Sequence, residues 1–200
     1  GLKTLKKALV ESNRKPFFIS AAGANAYGAF TKTEVQVEEM AFGEGFIAEV
    51  CKEWEGAAQE LEPFTKNLSL LRIGVVLGKG MSGYEKMAQP IKLLAGGRIG
   101  SGDQLIPWIH INDLCRLFLF AIEKELSGVY NAVYESPSQI EICKRIAKHY
   151  KVPAIAPPLP AFMLKLIVGE AASLLLNGYP ISNEKIKSEG FVFEYGDLNG

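Results

Sequence analysis

The sequence predicts an α/β fold built around a parallel sheet. Three observations predict it: strand-like and helix-like segments alternate along the chain; residues 68–77 (LSLLRIGVVL) form a near-continuous aliphatic run, as in strands buried on both faces; and small-residue or glycine-rich stretches follow the strand-like segments. Parallel sheets of this kind place ligands in the loops beyond the carboxyl ends of their strands.

The elements follow in order. Leu2, Leu5, Ala8 and Leu9 share a helical face with Lys3, Lys6 and Lys7 mostly off it, which predicts an amphipathic helix over 2–12. PFFIS runs into AAGANAYG, a strand at 17–21 entering a loop at the edge of a site. Ile47, Cys51, Trp54, Ala58 and Leu61 recur at helical spacing and predict an apolar stripe on a helix over 44–61. The aliphatic run 68–77 is one central strand, followed by a turn over Gly78–Gly83 and a helix near 84–95. Beyond Gly96–Gly102 come an extended segment at 104–109 and a helix opened by Asn112 or Asp113 that runs to about Glu125. GVYNAV predicts a strand at 128–133, and Ser136-Pro137 starts a helix to about Tyr150. VPAIAPPLP is an extended spacer, 160–176 a buried helix, and 183–189 a short helix stopped by Gly190 before Phe191 and Phe193.

Composition excludes several functions. Twenty-two basic residues balance twenty-two acidic ones, so no global field draws the chain to nucleic acid or anionic lipid. Cys51, Cys115 and Cys143 form no C-x-x-C, and His110 and His149 lie far apart without H-E-x-x-H. Neither a disulfide framework nor a metal site is expected, and a reducing cytoplasm suits the thiols. There is no G-x-S-x-G elbow. The apolar stretch 160–176 carries Lys165 and Glu170, and no apolar leader opens the sequence, so neither a membrane span nor secretion is expected.

Three constellations could carry chemistry. Gly78, Gly80 and Gly83 spell G-x-G-x-x-G between a strand and a helix, the pattern of a dinucleotide loop. Its acidic partner, Asp103, sits in another glycine-rich loop instead of ending the next strand. GGRIGSGDQLIPWIHINDL, residues 96–114, is the densest polar and aromatic grouping. There Gln104, Trp108 and His110 either line a pocket or belong to the core, and Asp113 reads as a helix cap. Ser20 and Tyr27, beyond the first strand, could act as donor and acid at a carbonyl, although no tyrosine has a lysine four residues later. Arg72, inside the aliphatic strand, must be paired or must face a ligand.

RIGVVLGKG, GGRIGSGDQLIPWIHINDL and CKEWEGAA closely resemble the atypical extended short-chain dehydrogenases known as NAD-dependent epimerase family proteins. GEAASLLLNGYPI and GFVFEYGDL resemble that family's C-terminal domain of unknown function, DUF1731. The resemblance implies a Rossmann-like domain over 1–150, partial and without its first strands, and a small, mainly helical C-terminal lobe over 151–200. It places the dinucleotide fingerprint in a nucleotide-binding half ahead of Gly1, which makes the match at Gly78–Gly83 accidental. It implies NADP(H) or NAD(H), held fully only with that half, and a small-molecule substrate. Ala21, Ala22, Arg72, Gly74, Val75 and Leu77 would flank the cofactor; Met81, Gln104, Trp108 and His110 would line the substrate pocket; Ser20 and Tyr27 would be catalytic.

The sequence departs from the family at the chemistry. The position four residues before Tyr27 is Gly23, and Ile47 and Cys51 fall where the family's tyrosine and lysine stand. Turnover by an oxidoreductase or epimerase and non-catalytic dinucleotide sensing or partner binding are therefore both expectations. Homo-oligomerisation through an open sheet edge is a further one.

Overall fold

The computed structural model describes residues 2–12, 14–28, 33–80, 82–94, 97–153 and 177–196. Along them run helix α1 (Leu2–Ser12), strand β1 (Phe17–Gly23), helix α2 (Phe46–Gln59), strands β2 (Asn67–Ile73) and β3 (Val75–Leu77), helix α3 (Ser82–Lys92), strand β4 (Trp108–His110), helix α4 (Ile111–Glu123), strand β5 (Gly128–Ala132) and helices α5 (Gln139–His149) and α6 (Glu184–Ser188). The fold is α/β as expected. β1, β2 and β5 form a parallel sheet with β2 in the middle, Phe17 opposite Asn67 and Gly23 opposite Ile73.

The aliphatic run is two strands where one was expected, and Gly74 divides them. Its N–H donates to the Ala132 carbonyl at 3.2 Å in one sheet, while the next N–H, of Val75, donates to the Pro107 carbonyl at 2.7 Å. The chain thus changes partner within one residue, and β3 pairs in parallel with β4. A Cβ on Gly74 would lie 2.7 Å from the Pro107 oxygen, so only glycine permits the approach. The extended segment at 104–109 narrows to β4, with an isolated bridge between Leu105 and Ser138.

Helical periodicity builds the core. α4 sets Leu114, Leu117 and Ala121 against Leu71, Ile109 and Tyr130, and Ile186 and Phe191 join them from the C-terminal region. α5 packs Ile142 and Ile146 against Ala88 and Ile91 of α3 and against Trp108. Two helix starts differ from expectation. His110 caps α4, its Nδ1 accepting the Asn112 N–H at 3.1 Å, and Ser138 caps α5 by accepting the Glu141 N–H at 3.3 Å. Asp113 is not a cap. Its fully buried carboxylate accepts the N–H groups of Glu194 and Tyr195 and pairs with Arg116, anchoring the C-terminal segment. On α2 and just beyond it the expected stripe holds at Ala58 and Leu61, which are buried, and at Ile47 and Cys51, which are half-buried, but Ala48 and Glu55 are buried as well and Trp54 is left 54% exposed.

Residues 154–176, with most of the proline-rich spacer and the helix expected at 160–176, lie outside the described residues. Among the described residues no helix is long and apolar enough to cross a membrane.

Candidate functional site

The carboxyl ends of β1, β2 and β5 meet around one buried polar cluster. β1 passes into a single 3-10 turn, Ala24–Tyr27, which buries Ala24, Ala26 and Tyr27. The Tyr27 hydroxyl donates to Asn131 Oδ1 of β5 at 2.7 Å. Arg72, projecting from β2, lies 4.9 Å from the Tyr27 ring centroid and 5.0 Å from that of Phe42. Its Nε and Nη2 donate to the two oxygens of Glu55 on α2 at 2.8 and 3.0 Å. The Asn131 backbone N–H donates to Glu38 Oε1 at 2.8 Å, and its side-chain amide donates to the Ser182 carbonyl at 3.1 Å. The Tyr179 hydroxyl closes the turn by reaching the carbonyls of Ala24 and Gly28 at 3.1 and 2.8 Å.

Burial governs the electrostatics of this cluster. It raises the Tyr27 pKa, against the pull of the neighbouring Arg72, so the phenol stays protonated at neutral pH. Burial alone would lower the pKa of Arg72, but Glu55 and Tyr27 outweigh it and hold the guanidinium above its ordinary value. Burial first, and then Glu55, raise the Cys51 thiol. All three shifts favour the protonated form: the phenol of Tyr27, the guanidinium of Arg72 and the thiol of Cys51.

The structure brings Tyr27 and Arg72 together, sets Ala22 opposite Arg72 across β1 and β2, and pairs Val75 with Trp108 and Leu77 with His110 across β3 and β4. Ser20 is buried, and its hydroxyl accepts the Trp54 indole N–H at 3.2 Å. Ala21 and Val75 are exposed, Gly74 is partly covered, and Ala22 and Leu77 are buried. Gln104 is buried and donates to the Ile99 carbonyl at 3.2 Å. Trp108 is fully enclosed, edge-on to Tyr134, with its indole donating to Glu135 Oε1 at 3.3 Å. Met81 lies outside the described residues.

His110 stacks on Tyr195 with centroids 5.0 Å apart. Burial lowers its pKa, and the N–H it accepts at Nδ1 places the proton of the neutral ring on Nε2. That Nε2 is buried without a hydrogen-bond partner. Among the described residues no group of three or more His, Cys, Asp or Glu side chains could hold a metal ion.

Sequence reading missed Glu38, Glu55, Asn131 and Tyr179. Only Glu55 left a signal: it stands four residues after Cys51, on a stripe otherwise apolar, where a buried arginine needs an acid.

Residues 159–200 match the family model described as a domain of unknown function, DUF1731. The chain is 35% identical over 184 residues to the chloroplastic epimerase family protein SDR39U1 homolog of Arabidopsis thaliana, covering 91% of this chain and 52% of that protein. It is 29% identical over 198 residues to epimerase family protein SDR39U1 of Mus musculus, covering 97% of this chain and 67% of that one. The crystal structure of human epimerase family protein SDR39U1 (isoform 2) with NADPH matches at a TM-score of 0.84 and 28% identity, over 98% of this chain and 68% of that chain. The chain thus spans about half the length of the plant relative. The parallel sheet, its strand-end cluster and these likenesses define a Rossmann-like fold of the short-chain dehydrogenase and epimerase type. Within that class the likeness is to epimerase family proteins of the SDR39U1 kind, and residues 159–200 carry the match to DUF1731.

Proposed function

We propose that the chain contributes the nicotinamide- and substrate-side part of an NAD(P)-dependent, epimerase-like oxidoreductase acting on a small molecule. The observation that carries this reading is the convergence of β1, β2 and β5 on one strand-end cluster, in a chain that matches the NADPH-bound human protein over 98% of its length. A bound nicotinamide supplies hydride-transfer chemistry. The strand ends fit a flat ring: Ala21 and Val75 are exposed, Gly23 and Gly74 are only partly covered, and none presents a bulky polar side chain. Behind them the Arg72–Glu55 pair and Tyr27 hold the turn; Ala22 is buried opposite Arg72, and Leu77 is buried against Tyr84 and Trp108. The same proposal places the pyrophosphate contacts in a nucleotide-binding half ahead of Gly1, divides the chain near residue 150, and sets the three free cysteines in the cytoplasm.

A second reading, dinucleotide sensing without turnover, is favoured by the state of the hydroxyls. Ser20 is engaged by Trp54, Tyr27 is enclosed and bonded to Asn131, and Ile47 and Cys51 occupy the positions where a tyrosine–lysine pair would stand. Titrating NADPH and NADH into the native polypeptide, and then offering the bound dinucleotide a panel of carbonyl compounds, separates the readings. Saturable binding with hydride transfer is the expected result. Binding without any transfer transfers the conclusion to sensing, and no binding of either dinucleotide overturns both.

A further inference from the structure

Three of the five arginines carry carboxylates on their forks: Arg72 with Glu55, Arg116 with Asp113 and Glu194, and Arg145 with Glu135 and Glu141. Arg14 is simply exposed. Arg98 is neither paired nor free in water. It is partly buried, its Nε is enclosed without a hydrogen-bond partner, and no carboxylate among the described residues pairs with it. Asp103, five residues along the same loop, is exposed, with its backbone N–H turned onto Ser101 Oγ. Taking part of a guanidinium out of water without an acceptor costs free energy that some other group must offset.

The loop around Arg98 is pinned on both sides. The Gly97 carbonyl accepts from Gln139 Nε2 and from Cys143 Sγ, and the Ile99 N–H donates to Gln139 Oε1 at 3.2 Å. The Ile99 carbonyl accepts from Gln104 Nε2 at 3.2 Å and from the Gly102 N–H at 3.1 Å. Gly102, at φ 77°, leaves room for the arginine stem, since a Cβ there would stand 2.8 Å from Arg98 Cγ. A guanidinium on a fixed backbone, with no carboxylate of its own, has the planar donor fork that matches an oxyanion and little ordering left to lose on binding.

We propose that Arg98 and its glycine-rich loop form an oxyanion-recognition site that takes the phosphate or carboxylate group of a small molecule. The site does not depend on the dinucleotide reading, so its test can fail or succeed independently. Inorganic phosphate is titrated into the full chain, with chloride at matched ionic strength as reference. The arginine Nε–H and the backbone amide resonances of residues 97–102 are followed by nuclear magnetic resonance.

The expected result is a saturable shift at Arg98 and its loop that is absent at Arg14. Arg98→Lys should weaken binding about ten-fold through loss of the fork geometry, and Arg98→Gln should abolish it. Acetate in place of phosphate identifies which group the site takes, and saturation by either one supports it. A shift that never saturates, that appears equally at Arg14, or that survives in the loop amides of Arg98→Gln overturns the proposal. Arg98→Lys keeps the charge and the stem, so unchanged affinity in that variant overturns the role of the fork even if Arg98→Gln fails to fold.

Discussion

Arg72 is the residue on which the strand ends turn. A charge within a buried strand is tolerated only when its donors are taken up, and here the bidentate Glu55 contact and the two flanking rings do so with side-chain exposures of 4% and 2% for the pair. Glu55→Gln leaves the guanidinium buried without a counter-charge. That should cost about 3–5 kcal/mol, whereas Glu11→Gln, which breaks the exposed Lys7–Glu11 pair, should cost under about 1 kcal/mol. Urea unfolding midpoints at an unchanged denaturant slope measure both, and a Glu55→Gln cost no larger than that of Glu11→Gln would show that the pair does not hold the cluster. The long-range contacts share this character. Tyr27 meets Asn131 across 104 positions, and Tyr179 meets Gly28 across 151, so the strand-end turn is held by residues from both ends of the chain.

At the scale of elements, the exchange of partners at Gly74 decides the architecture. Gly74→Ala should force the Pro107 carbonyl away from the strand, at a cost of about 1–3 kcal/mol. For a domain of this size that lowers the melting temperature by roughly 2–4 °C per kcal/mol, which a thermal scan resolves; an unshifted transition would mean that the two sheets are not coupled through this residue. The exchange also shows what periodicity can and cannot disclose. α4, α5 and the buried character of β2 were legible because apolar spacing records which face is inside. Aliphatic residues on both sides of Gly74 look alike whichever strand they pair with, so the break was not. On α2, hydrophobicity alone turned Trp54 inward, whereas the buried position belongs to Glu55, whose partner Arg72 lies on β2. The helix cap expected of Asn112 or Asp113 falls to His110, while the Asp113 carboxylate is taken up by the backbone of Glu194 and Tyr195. Of the strand-end cluster, Tyr27 and Arg72 were legible as oddities of type and position; Glu38, Asn131 and Tyr179 were not, since only the fold brings them near.

At the scale of the whole molecule, one face is left uncovered among the described residues. β1 pairs only with β2, so its other edge presents unpaired backbone groups. Beside that edge, Phe46, Val50 and Trp54 recur every four residues along α2 at 79%, 46% and 54% exposure, and the Trp54 indole reaches Ser20 on β1. An apolar helical stripe continuous with an open strand edge is the kind of surface that proteins cover. A formal net charge of zero offers little repulsion to prevent it. The 200-residue polypeptide should therefore self-associate, its weight-average mass in sedimentation rising above 21.9 kDa as concentration increases through the micromolar range. Phe46→Lys with Val50→Lys places like charges on the stripe and leaves the Trp54–Ser20 contact intact, so it should return the mass toward that of the monomer without loss of folding. If the unmodified chain stays at 21.9 kDa at every concentration, neither the stripe nor the edge is an association surface in this polypeptide. If it associates but the double variant associates equally, the open edge of β1 is the seat of the contact, because strand pairing through backbone groups is indifferent to charges on α2.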